Sequence, residues 1–391
     1  MSNSKITKYL PTYTRRCTHI VERKLVIDPW GETAIEDYSK LFEQFGVEPI
    51  DPLIDEFPIK HRLIRRKIIF GHRDLQKILK AIKEGEEYAV LSGIKPTGDF
   101  HLGTKLTAEE IIFFQKLSNK AMAFYCIADV EAWNDNGIPF DKAEEIAISN
   151  IADVLALGLD PKRVYVYRQS RERRVLQMAT VFARGVSMNL LEAIYGPRHF
   201  GLYLSAIIQV ADILLPQHPD FGGPKPTVIP VGADQDPHIR FARDIAQKYR
   251  SIYGFELPSA TYHRLMRSLT GEKKMSKRNP MGMFTLTEEL ESVKFKIMNA
   301  FTGGRPTAKE QREKGGVPEI CCVYEVLMFH FVEDDSKLLK IYEECVTGKR
   351  LCGECKREAA EIILKWLEEH RRRREKFIDL ATKLVREGYA T

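Results

Sequence analysis

No apolar run in this chain reaches the ~20 residues a bilayer span requires. The longest, such as 207–215, are interrupted by Gln209 and Asp212. The opening MSNSKITKYL has no secretory apolar region, so the expected location is the cytosol, with no membrane partner. Charge of one sign is in small excess: a net +6 over 391 residues tilts mildly toward polyanions and by itself shows no nucleic-acid binding. Cysteine is nearly missing from the first 320 residues, where only Cys17 and Cys126 occur; the other five fall between 321 and 355. Seven is an odd number, which argues against a disulfide framework in a cytosolic chain. Internal repeats and low-complexity segments are missing too. What remains is a folded composition, 44% hydrophobic and 29% charged. At roughly 150 residues per domain, it is long enough for two or three domains.

Residues 1–70 read as an N-terminal extension with short strands, a helix and turn signals at Asp28-Pro29-Trp30-Gly31, Glu48-Pro49 and Asp51-Pro52. The basic run His61 to Lys67 leads out of it. Over 71–286 short apolar strands (88–92, 122–128, 164–167, 227–231) alternate with helical patterns (101–117, 140–157, 237–249). That alternation predicts an α/β catalytic domain built on a Rossmann-type, doubly wound parallel sheet, with ligands beyond the carboxyl ends of its strands. Over 287–391 only helical patterns remain: 287–300, 317–332, 336–346 and 354–385. The last carries Arg371 to Arg374, either a solvated face or a contact for a nucleic-acid backbone.

Two segments carry phosphate chemistry. Pro96-Thr97-Gly98-Asp99-Phe100-His101-Leu102-Gly103-Thr104 follows a strand and opens a helix, where backbone N–H groups and the positive helix end accept an anion. Asp99 is placed to cap that helix, and Gly103 lets a flat base come close to the backbone. A plain strand-to-helix turn with a surface histidine is the competing reading. Lys273-Lys274-Met275-Ser276-Lys277-Arg278 lies in a Gly/Pro-bounded loop; it can clamp a triphosphate or be a solvated basic loop.

The order His-x-Gly after the first strand and Lys-Met-Ser-Lys after the last resembles the two signatures of class I aminoacyl-tRNA synthetases. Thr104 stands where the usual form has histidine or asparagine. The resemblance implies ATP with Mg2+ as substrate complex and a two-step transfer without a protein nucleophile. By it, Thr97, His101 and Thr104 would act at the phosphates, Gly93, Gly103 and Met275 at ATP, and Lys274, Ser276 and Lys277 at the departing pyrophosphate.

Gly232-Ala233-Asp234-Gln235-Asp236-Pro237-His238 is similar to a segment of archaeal and eukaryotic tryptophanyl-tRNA synthetases. So, in order, are Ile27-Asp28-Pro29-Trp30, Gly71-His72-Arg73-Asp74, Arg243-Asp244-Ile245-Ala246, Gly303-Gly304-Arg305 and Glu333-Asp334-Asp335. This implies tryptophan and tRNA(Trp) as substrates, a homodimer, and a helical anticodon-binding domain at 287–391 with Arg305 among its contacts. A tyrosyl-tRNA synthetase and a non-catalytic tRNA-binding relative are the alternatives. Leu91 and Cys126 occupy the positions that in eukaryotic members hold the indole N–H, and neither can do so. Asp212, three residues from Gln209 on one helix face, is the expected acceptor; Glu131, Gln209 and Gln235 are expected at the amino and carboxylate groups. Cys352-Gly353-Glu354-Cys355, with Cys345 and Cys322 upstream, offers four thiolates to zinc or to a [4Fe–4S] cluster. Cys321 is a substitute for Cys322. A subset of the resembled family carries such a cluster on cysteines so spaced, and the cluster is the preferred reading.

Overall fold

The computed structural model describes residues 27, 29–30, 38–272, 275 and 279–388. Seven strands form one sheet in the order β1-β2-β7-β6-β3-β4-β5. Its parallel part comprises β3 (Tyr88–Ile94), β4 (Ala121–Ile127), β5 (Val164–Arg168), β6 (Thr227–Gly232) and β7 (Ser259–His263). The strands β3 to β6 read as largely apolar runs because helices cover both of their faces. The edge differs from the expected all-parallel sheet. β2 (Ile69–Arg73) runs antiparallel to β7, and β1 (Glu48–Pro49) antiparallel to β2. β1, β2 and β7 are short and carry Pro, Gly or Ser/Thr, so their composition gave no strand signal. The expected boundary at 70/71 falls inside β2.

The sheet opens where its winding reverses. β3 and β6 pair only at Ala89–Thr227 and Val90–Val228, although β3 continues to Ile94 and β6 to Gly232. Beyond Val90 the two strands diverge, and the gap is the crevice in which doubly wound sheets bind ligands. Helix Phe200–Leu214 runs alongside. The stretch Phe200–Gln217 is apolar enough in length and composition to span a bilayer, but 78% of it is buried against the rest of the chain.

From 290 onward the described elements are helical, as expected, with two differences. The pattern over 317–332 divides into a 3-10 turn (Pro318–Ile320), an α-helix (Cys322–Val326) and a π-helical turn (Leu327–Phe331). The last helical stretch is two helices, Cys352–Glu375 and Ile378–Glu387. Both fold back on helix Phe140–Leu157, and the second also touches β5. One hydrophobic core therefore runs from Ile50 to Val385.

The arginine run holds that return in place. Arg371 Nε donates to Leu286 O at 3.1 Å, Arg373 Nε to Ala156 O at 3.2 Å, and Arg374 Nη2 to Ser149 Oγ at 2.7 Å. The guanidiniums satisfy carbonyls and a hydroxyl of the catalytic half, so the run is neither a simple solvated face nor a free basic patch. The basic segment 61–67 is likewise inside: Arg62 reaches Glu109 at 2.6 Å and pairs with Glu333, and Arg66 reaches Asp335 at 2.7 Å. Buried charges persist only when paired this way.

Candidate active site

The crevice between β3 and β6 leads into a cavity of about 310 Å³. Its lining includes Gly93, Glu131, Gln209, Asp212 and Gln235, which the sequence had placed at the substrate. Leu91 and Cys126 line it too, as the substituted positions should. Gly93 has a steric reason to be glycine: a Cβ there would lie 2.6 Å from Cys126 O on the neighbouring strand.

Asp212 is only 2% exposed. Its carboxylate accepts from Tyr167 Oη at 3.0 Å and from Gln169 Nε2 at 2.6 Å. Burial pushes the carboxyl up to about 7, against the lowering effect of those donors and of the Cys126 thiol. The same burial raises Cys126 and Tyr167 well above their ordinary values. A carboxyl that two donors hold in place, with lone pairs to spare, can accept a further N–H from a buried ligand.

Glu131 has different partners. Its Oε1 accepts from Trp30 Nε1 at 3.1 Å and lies 3.3 Å from Lys95 Nζ. The Trp30 ring packs on Tyr195 and His238, at centroid distances of 5.0 and 5.2 Å. Gln235 Nε2 donates to Pro29 O at 3.3 Å. The N-terminal segment thus closes one side of the cavity, which its reading as a separate extension did not anticipate. Trp30, Lys95, Thr107, Gln169 and His238 all line the cavity and were missed. Lys95 and Gln169 did have a signal, as polar residues just past the carboxyl ends of β3 and β5.

At the phosphate-type turn the helix is Leu102–Lys116, and its cap is His101 rather than Asp99: His101 Nδ1 accepts from Gly103 N at 3.1 Å. Asp99 is exposed. Thr97, Gly103 and Thr104 are half-buried around this turn. In the basic loop, Lys274, Ser276 and Lys277 lie outside the described residues, and Met275 is buried.

The quoted motifs prove to be paired anchors. Asp236 Oδ1 accepts from Arg73 Nη2 at 2.8 Å and Tyr262 Oη at 2.7 Å, and its Oδ2 from Arg240 Nε at 2.9 Å. Asp74 Oδ2 accepts from Arg243 Nη2 at 2.7 Å. The segments 71–74, 232–238 and 243–246 are therefore one network under the crevice.

A second chamber lies in the helical half. Cys321, Cys345, Cys352 and Cys355 line it together. Cys322, the expected ligand, is outside the lining: it is the first residue of helix Cys322–Val326, which Cys321 caps, so the two side chains diverge, and its surroundings include Glu325, Arg267 and Gly271. Cys321 Sγ instead accepts from Tyr324 N at 3.5 Å. Glycines keep the chamber open: a Cβ on Gly304 would lie 2.5 Å from Cys352 Sγ, and one on Gly316 2.8 Å from Cys345 Sγ. Among the described residues no three His, Cys, Asp or Glu side chains stand at metal-shell spacing. Arg305 is exposed close by, its Nε donating to Gly315 O at 2.9 Å.

A family model described as tRNA synthetases class I (W and Y) matches residues 83–368. A tryptophan–tRNA ligase of Hyperthermus butylicus is 43% identical over 92% of this chain and 97% of its own length. One of Methanocaldococcus jannaschii is 40% identical over 93% and 99%. The crystal structure of a tryptophanyl-tRNA synthetase from Aeropyrum pernix superposes with a TM-score of 0.85 at 43% identity, covering 92% of this chain and 99% of that one.

Proposed function

The chain belongs to the class I tRNA synthetases of the tryptophan and tyrosine group, and from that premise we propose that it is a tryptophan–tRNA ligase. The tryptophan carboxylate attacks the α-phosphorus of ATP, tryptophanyl-adenylate forms and pyrophosphate leaves. The adenylate then esterifies the 3′-terminal ribose of tRNA(Trp). The observation that carries this reading is the cavity between the diverging β3 and β6, lined by both Asp212 and Glu131. Asp212, buried and held by Tyr167 and Gln169, suits an indole N–H. Glu131, beside Lys95, suits an ammonium group, and Gln209 and Gln235 line the same cavity. Tyrosine is disfavoured because the relatives named above are tryptophan enzymes.

No side chain is needed as nucleophile, so rate comes from placement and charge stabilisation. The turn from Thr97 to Thr104 offers its helix end to the phosphates; with His101 Nδ1 committed to the cap, a phosphate contact from that ring is made by Nε2. Gly93 and Gly103 allow the nucleoside close to the backbone. Lys274, Ser276 and Lys277, with Met275 between them, would hold the pyrophosphate with its Mg2+. ATP–pyrophosphate exchange tests the whole reading: exchange should depend on tryptophan, and equal or faster exchange with tyrosine would refute it.

Residues 287–391 are read as the anticodon-binding part, with Arg305 at tRNA. A second copy of this chain is read as the partner. The support is a set of exposed apolar side chains on neighbouring helices, among them Leu176, Val181, Met188, Leu190 and Phe200. A monomer by sedimentation at micromolar concentration would count against it. The cysteine chamber is read as the seat of a [4Fe–4S] cluster, with zinc as the alternative and Cys321 in place of Cys322. The chemistry of four thiols facing one glycine-walled space supports it. Such a group would supply cross-linking of the helical half, remote from ATP. Anaerobic protein should contain about four iron and four sulfide per chain, retained in Cys322→Ser and lost in Cys321→Ser. Zinc without sulfide, or no metal, would end this part. The cytosol is the matching location.

A further inference from the structure

Between the helical half and the nucleotide turn lies a buried junction that the reaction as described does not use. Its centre is His330, in the π-helical turn Leu327–Phe331. Val332 N closes that turn on Leu327 O at 3.0 Å, one residue further back than in an α-helix. Met328 O thereby loses its regular partner, and Arg66 Nη1 donates to it instead. Arg62 Nε takes the next carbonyl, Phe329 O, at 2.8 Å. Two buried guanidiniums thus hold the turn that carries His330.

The imidazole spans the two segments read as phosphate-binding. On one side its Nδ1 lies 3.3 Å from Lys105 Nζ and 3.5 Å from Glu109 Oε2. Lys105 directly follows Thr104 in the first turn of helix Leu102–Lys116, is fully buried, and donates to Glu109 Oε1 at 2.6 Å. Its ammonium also stands 4.8 Å from the Trp366 ring centroid. On the other side His330 Nε2 lies 2.9 Å from Met266 Sδ. Met266 O accepts from Met275 N at 2.8 Å, and Met275, itself buried, belongs to the Lys274-Met275-Ser276-Lys277 run.

Burial, with Lys105 alongside, lowers the imidazole to about 3, so the ring is neutral near pH 7. The span is one of position and holds whichever nitrogen carries the hydrogen. A ring needed only for packing could be apolar; this one meets a different signature segment with each nitrogen. We propose that His330 is a positioning residue for tryptophan activation, setting the distance between the turn at Thr104 and the basic loop at Met275. It touches no substrate and acts through Lys105 on one side and Met266 on the other. Attack at a phosphorus depends on placement, and a shift of ~1 Å costs on the order of 100-fold in rate. The proposal rests on the reading of both segments as phosphate-binding.

The test uses the full-length wild type, His330→Phe, His330→Gln, Met266→Leu and the double variant His330→Phe with Met266→Leu. ATP–pyrophosphate exchange gives kcat and both KM values, Tm is measured on the same proteins, and trypsin cleavage at the loop lysines is followed by mass spectrometry. His330→Phe keeps a flat ring and loses both polar contacts. It should lower kcat roughly 10- to 100-fold with the tryptophan KM unchanged, and its loop should be cut faster. Glutamine offers both a donor and an acceptor and should recover much of kcat. Met266→Leu conserves volume and should also slow exchange, while the double variant should be no slower than His330→Phe, because both changes break one link. Wild-type kcat in His330→Phe overturns the proposal, as do effects that multiply in the double variant. So does a lowered Tm with kcat and both KM values shifted alike in His330→Phe and His330→Gln, which marks packing alone. A wild type without tryptophan-dependent exchange refutes the proposed activity. Trypsin then decides the junction by itself: faster loop cleavage in His330→Phe supports it, and unchanged cleavage overturns it.

Discussion

Asp212 gives the sharpest test of the pocket, because its role and its cost are opposite in sign. Burial lifts its carboxyl to about 7 in the folded chain, from about 3.9 when unfolded. The folded state therefore holds a proton that the unfolded state has released between those values, so stability contributed by this group falls as pH rises through the window. Three units at ~1.4 kcal/mol each make the ionised carboxylate about 4 kcal/mol unfavourable above pH 7, and about 1.5 kcal/mol at pH 5. Asp212→Asn removes the charge and keeps the shape. Relative to wild type, the variant should thus gain about 3 kcal/mol more at pH 8 than at pH 5. At any pH it forfeits ~1 kcal/mol, because an NH2 now faces either Gln169 Nε2 or Tyr167 Oη. Urea unfolding of both proteins at pH 5 and pH 8 reads the difference directly. Tryptophan binding should move the other way. Asp212→Ala leaves the indole donor unpaired, worth about 1–3 kcal/mol or roughly 5- to 150-fold in affinity, with ATP affinity untouched. A stability gap that is the same at both pH values would show the carboxyl ionised throughout. Unchanged tryptophan affinity in the alanine variant would place the indole acceptor elsewhere.

Deleting 291–391 should yield insoluble protein and not a catalytic fragment, because Ile363, Leu367 and Leu384 belong to the core that also contains Val90 and Ile111; a soluble, active fragment would contradict this. Arg305→Ala should instead leave tryptophan activation intact and lower tRNA charging, as aminoacylation with labelled tryptophan would report. Arg371→Ala should destabilise by about 1–3 kcal/mol, since it strands carbonyls of Leu286 and Glu288, whereas the exposed Arg372→Ala should be near neutral; equal effects in thermal unfolding would refute the distinction.

Much of the site was readable before any coordinates. Strand β3, the turn to His101, helix Phe140–Leu157 and the Gln209–Asp212 face follow from period, length and turn chemistry, which are local properties. Glu131, Gln235 and Gly93 came from the family resemblance; Glu131 and Gln235 follow the ends of β4 and β6, and Gly93 lies within β3. The errors share a cause. Asp99 looked like a cap because aspartate usually is one, but the helix begins two residues later and the imidazole of His101 takes that place. Cys322 fitted the spacing, yet a helix begins at that residue and rotates its thiol away from the three below. The arginine run over 371–374 looked solvated because nothing in its own neighbourhood could meet it.

Local pattern thus settles which segments become strands and helices and where an anion-accepting turn occurs, since those depend on residues within a few positions of one another. Pairing at long range it cannot settle. That Asp236 gathers Arg73, Tyr262 and Arg240, that Trp30 reaches Glu131 across 101 residues, and that Lys105 meets His330 are consequences of strand order and chain return. The crevice itself exists because β3 and β6, far apart in sequence, pair for two residues and then part. A buried charge or an opened sheet edge is tolerated only when its partner arrives from elsewhere in the chain, and only the folded core brings that partner within reach.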